Sequence, residues 1–183
     1  INEATDILLK RDFDKYREIG EPHPFLVAKE RDFLIPFSHE HFELWTQSLH
    51  FGAKDRLNFV DPKTNLKVGG GLDDVWLNIN TNFFNIVYYK SKSQKSYKVP
   101  ITLDDPWKAS YKRQMDLYVW VLRKKGFNVD DVGYFLYCDG DRFSDYNFLS
   151  STAASMKFKI TLIEYKTNDT WIEPTLQDIS ECL

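Results

Sequence analysis

Gly69-Gly70-Gly71-Leu72-Asp73-Asp74-Val75-Trp76-Leu77-Asn78, and the run that answers it, Phe83-Phe84-Asn85-Ile86-Val87-Tyr88-Tyr89-Lys90-Ser91, decide how this chain is read. In the first, three glycines lead into a carboxylate pair and then an imperfect alternation at Val75, Leu77 and Ile79. A period of two is that of a strand, in which successive side chains point to opposite faces. The second run is a short hydrophobic strand that ends on a lysine. Asn80-Thr81-Asn82 between them has turn chemistry, so the pair reads as a hairpin that brings Asp73 and Lys90 together. The glycines permit a bulge or a close approach of backbone, as beside a large ligand. No phosphate-loop lysine or helix start follows them, which excludes a nucleotide-binding glycine loop.

Outward from the hairpin, residues 2 to 18 read as an amphipathic helix with Ala4, Ile7, Leu8, Phe13 and Tyr16 inward and Lys10, Arg11, Asp14 and Arg17 outward. Gly20, Pro22 and Pro24 end it, and residues 21 to 37 read as irregular. Ser38 suits the cap of a short helix over 39 to 49, with Phe42, Trp45 and Leu49 inward. His39, His41 and His50 lack the spacing and the acid or cysteine partners of a zinc site. Trp107 to Lys125 is the strongest helix, with Trp107, Met115, Leu117, Tyr118, Val121 and Leu122 inward and Gly126 as its stop. Val132 to Cys138 reads as a buried strand, 143 to 155 as loop, and Met156 to Tyr165 as a strand with one face toward water. A closing helix spans Thr170 to Cys182. This order predicts an α/β domain, a central mixed sheet flanked by helices.

With 183 residues, 43% of them hydrophobic and 16% aromatic, the chain reads as one domain with a substantial core, which excludes general disorder. No run approaches the length of a membrane span. The start, Ile1-Asn2-Glu3-Ala4-Thr5-Asp6, shows neither a signal peptide nor an initiator Met, as in a processed product or a domain cut from a longer protein. Cys138 and Cys182 build no disulfide framework, which points to a reducing, cytoplasmic setting. Net charge is −3, yet residues 90 to 125 carry about +7 and the remainder about −10. Such asymmetry fits either a polyanion-facing side, with Lys92, Lys95, Lys98, Lys112 and Arg113 as candidate nucleic-acid contacts, or a solvated helix face beside a basic loop.

Three features in this order resemble the PD-(D/E)XK nuclease superfamily, in its RecB-like branch. They are Gly70 to Val75, the strand ending Tyr89-Lys90-Ser91, and Gln114-Met115-Asp116-Leu117-Tyr118 on the following helix. The resemblance spans about Asn2 to Cys138. It implies a restriction-endonuclease-like core and DNA cleavage with Mg²⁺ or Mn²⁺, in which carboxylates gather the ion and a lysine polarises water or phosphate. On it Asp73 is a metal ligand, Lys90 the catalytic lysine, and Gln114 and Tyr118 line the site or grip the DNA backbone. Asp6 falls where members carry a helix-borne metal ligand. One position departs: the family has Asp or Glu two residues before the lysine, and this chain has Tyr88. A phenol with an ordinary pKa of about 10 is a poor ligand for a hard cation.

That departure leaves three expectations: divergence to a binding role, a sequence variant of an active enzyme, or an acid supplied from elsewhere, such as Asp74 or Asp116. A catalytically inactive DNA-binding or protein-interaction module is therefore the alternative to a nuclease. A domain with no nucleic-acid role is the third reading.

Overall fold

The computed structural model describes residues 2–46, 57–94 and 99–183. A five-stranded mixed sheet runs in the order β1 (Leu34–Pro36), β4 (Asp74–Asn78), β5 (Phe83–Lys92), β6 (Val132–Gly140), β7 (Phe158–Lys166). Its neighbours are antiparallel except β5 and β6, which run parallel. A parallel pair needs a long crossover, and α4 (Ala109–Lys124) supplies it. β2 (Leu57–Val60) and β3 (Lys67–Gly70) form a separate antiparallel pair, with Phe59 meeting Trp120 of α4 edge to face at 5.5 Å. The protein is α/β, with helices on both faces of its sheet.

Alternation along β5 divides the core. Val87 and Tyr89 face α1 (Asn2–Ile19) in a cluster with Phe13, Trp76, Tyr134 and Leu136. Ile86 and Tyr88 face α4, packing with Val75, Met115, Tyr118 and Phe135. Ile172 and Leu176 of α5 (Ile172–Cys182) close that second cluster.

The helix over residues 2 to 18 forms, but its inward residues differ from the expected set. Ile7 and Leu8 are exposed, whereas Thr5 and Phe13 are buried and Leu9 packs with them. This stripe at four-residue spacing is the one that meets β5. The segment 21 to 37, read as irregular, holds two short elements. α2 (Pro24–Ala28) starts with proline in its first turn after His23, whose Nδ1 accepts from Phe25 N. β1 follows as an edge strand, where its Pro36 is tolerated. The helix expected over 39 to 49 is α3 (Phe42–Thr46) within the described residues, with Phe42 and Trp45 buried; Leu49 and His50 lie outside them. Trp107 is not inward. A 3-10 turn at Pro106–Lys108 precedes α4, and its tighter winding turns Lys108 into the core while leaving Trp107 56% exposed. Among the described residues no helix is long and apolar enough to cross a membrane.

Candidate functional site

The hairpin is present, and its two adjacent carboxylates have different fates. Asp74, the first residue of β4, is fully buried toward α1. Its Oδ1 pairs with Arg17 at 2.5 Å and accepts from Val75 N at 2.7 Å. Its Oδ2 accepts from the Tyr89 hydroxyl at 2.5 Å and from Trp76 Nε1 at 3.3 Å. Every lone pair has a partner. Asp73 sits at the bend just before β4, half-buried, with Oδ2 accepting from Tyr89 N at 2.9 Å. Burial pushes the Asp73 carboxyl up to about 6, opposed by Lys90 and the Tyr89 amide and reinforced by Asp6 and Asp74.

Those effects place Asp73, Asp6 and Lys90 within electrostatic reach of one another. Asp6 comes from the first turns of α1, where Ser91 Oγ donates to its Oδ1 at 3.3 Å and also contacts Thr5 Oγ1. Burial raises the Asp6 carboxyl, against the pull of Ser91 and Lys90. Burial likewise holds the Lys90 ammonium below its ordinary range, against Asp73 and Asp6. The ammonium rests over two rings, 4.5 Å from the centre of Tyr88 and 4.7 Å from that of Tyr111. Among the described residues no carboxylate lies within 4.0 Å of it.

Tyr88 lies on the same strand face as Lys90, two residues before it. It is 3% exposed and stacks between Tyr118 and Phe135, each ring centre 5.8 Å away. Its hydroxyl is buried and meets no described residue in good hydrogen-bond geometry, while burial and then the nearby Tyr118 hydroxyl drive its pKa far above the ordinary range. It stays a neutral phenol. Gln114 Nε2 donates to the Tyr118 hydroxyl at 3.1 Å, so the two act as a pair. Tyr118 is itself buried and serves as a wall of the site. A Cβ on Gly70 would sit 2.2 Å from the Tyr118 hydroxyl, and one on Gly69 would sit 2.2 Å from Leu57 O. The close approach that these glycines permit is therefore made by the chain's own tyrosine and by β2.

The alternative acids are committed elsewhere. Asp74 is held by Arg17, and Asp116 accepts from Asn168 N, Trp171 Nε1 and the Tyr165 hydroxyl at 2.9, 3.1 and 3.3 Å. Asp6 and Asp73 offer the hard oxygens that Mg²⁺ or Mn²⁺ prefers, and the neutral phenol of Tyr88 beside Lys90 adds none of that kind. No trio of His, Cys, Asp or Glu suited to a metal gathers among the described residues. Two carboxylates with water can hold a hard divalent ion, so the donor set is right in kind but has fewer protein oxygens than a three-carboxylate site.

The basic segment is only partly gathered. Lys92 lies beside Lys90 with its ammonium 5.6 Å from the Tyr137 ring, and burial and Lys108 lower its pKa. Lys112 extends toward Tyr165, 6.0 Å from that ring, and Arg113 is exposed at the next position of α4. Lys95 and Lys98 lie outside the described residues. Sequence reading missed Tyr111 and Lys108. Tyr111 is three residues before Gln114, one helical turn earlier on the same face, a spacing that was legible. Cys138 is buried, with its thiol pushed up to about 11 by burial, and Cys182 is exposed; both are free. No family model matches the chain, and neither the curated proteins nor the solved structures give a match.

Proposed function

We propose that this chain is a nucleic-acid-binding module on a PD-(D/E)XK-type, restriction-endonuclease-like core, in which Tyr88 has taken the place of a metal ligand and hydrolysis is lost. The observation that carries the reading is the placement of Lys90. Its ammonium is presented over Tyr88 and Tyr111 at the end of β5, close to Asp73 and Asp6 yet in ion-pair contact with neither. The order of elements supports it: a helix with Asp6, an antiparallel hairpin with Asp73 and Lys90, a crossover helix with Gln114 and Tyr118, and a parallel strand. A lysine with no carboxylate in ion-pair contact keeps its attraction for phosphate, and a phenol in place of a third carboxylate weakens a divalent-ion site.

Binding to labelled DNA in EDTA, followed by anisotropy across a salt series, tests this. The expected result is salt-sensitive binding whose slope drops by about 1 on replacing Lys90 or Lys92 with Ala. Replacing Lys92, Lys95 and Lys98 together is expected to weaken it further, and Asp73→Asn is expected not to weaken it. Absence of binding at low salt would sink the reading. The mutual influence of Asp6 and Asp73 favours a second one, a nuclease with a weakened Mn²⁺ site. Calorimetric Mn²⁺ binding that disappears in Asp73→Asn would select it.

A further inference from the structure

We infer that the module takes single-stranded nucleic acid, with an unpaired base stacked on Trp107. This rests on the nucleic-acid reading above and narrows its substrate class. Trp107 is the first large residue of the 3-10 turn that leads into α4, and it is 56% exposed. Its neighbour Tyr111 meets it at 5.7 Å with the ring planes at 86°, so among the described residues no ring lies parallel on the indole. The next ring contact leads back to the site, because the Lys90 ammonium sits 4.7 Å from Tyr111.

Cations and rings continue to interleave at the ends of β5 and β6. The Lys108 ammonium is 5.0 Å from Trp107 and 5.8 Å from Tyr137, and that of Lys92 is 5.6 Å from Tyr137. Of the two acids just before Trp107, Asp105 pairs with Lys108 at 2.6 Å and Asp104 is exposed. An exposed indole beside the Lys90 and Lys92 ammonium groups suits a flexible single strand, with a base on the ring and phosphates on those two ammoniums, while Lys108 is buried and holds Asp105 and Thr102 O instead. A duplex keeps its base faces covered and gains nothing from the indole. A protein partner would use Trp107 as an apolar anchor, but the surrounding lysines favour a polyanion.

The full chain is titrated with fluorescein-labelled oligothymidine and, separately, with a duplex of the same length. The single strand is expected to bind at least about tenfold more tightly and to quench tryptophan emission. Trp107→Ala should weaken single-strand binding roughly 5- to 100-fold with duplex binding unchanged, and Trp107→Phe should keep most of the affinity. Equal affinity for both forms, or an unaltered single-strand affinity in Trp107→Ala, overturns this inference while the nucleic-acid reading stands. Binding of neither form overturns both and leaves Trp107 as a protein-facing surface.

Discussion

The two faces of the β4–β5 hairpin treat charge in opposite ways. On the α1 face, Asp74 is buried against Arg17, Tyr89 and Trp76 with all its acceptors used. On the α4 face, among the described residues, Lys90 lies over two rings without an ion pair, and below it the Tyr88 hydroxyl meets no hydrogen-bond partner. The first arrangement holds the hairpin against α1. The second keeps charge available near the surface at some cost in stability. Adjacent residues, Asp73 and Asp74, fall on either side of that division.

Breaking the satisfied face is expected to have the largest effect. Arg17→Ala strands Asp74 in the core and should cost about 3–5 kcal/mol in urea denaturation. A change on the other face should be milder but informative. Tyr88→Asp puts a carboxylate among Tyr118, Phe135 and Met115 and should cost about 2–4 kcal/mol without divalent ions. If that carboxylate completes a metal site, Mn²⁺ raises the variant's melting temperature and leaves the parent chain's unchanged.

A smaller effect is expected at Asp73. The folded chain holds its proton up to about 6, against an ordinary value of 3.8. Between those values the folded state binds a proton that the unfolded state has released. Stability from this group therefore falls as pH rises through that window and levels off above it. Asp73→Asn removes the fall and should raise stability at pH 7 by about 1–2 kcal/mol, less than the full shift because the carboxylate is only half-buried. Smallest of all, Tyr88→Phe deletes an unpartnered hydroxyl and should be neutral or stabilising by up to about 1 kcal/mol.

The same division explains what sequence alone revealed. Periodicity locates helices over 2 to 18 and 107 to 125, close to the observed Asn2–Ile19 and Ala109–Lys124, and the hairpin, because those segments are long enough to repeat. It also set Asp73 and Asp74 on opposite sides. It did not reveal the partner of Asp74, since Arg17 lies 57 residues away and reads as solvent-facing by position on its helix. A helical period carried through Pro106–Lys108 predicts Trp107 inward, whereas the winding there is tighter. β1 is only 3 residues long and contains a proline, so no period was available to find it. Tyr88 was legible as a departure, but not as a stacked, unpartnered phenol, because Tyr118 and Phe135 reach it only through the fold.

The claim that Tyr88 separates binding from hydrolysis is tested most directly by cleavage of labelled DNA in Mn²⁺ by the parent chain and by Tyr88→Asp. The parent is expected to bind without cutting, and the variant to cut in a manner that Lys90→Ala abolishes. Mn²⁺-dependent cutting by the parent chain that Lys90→Ala removes would contradict it.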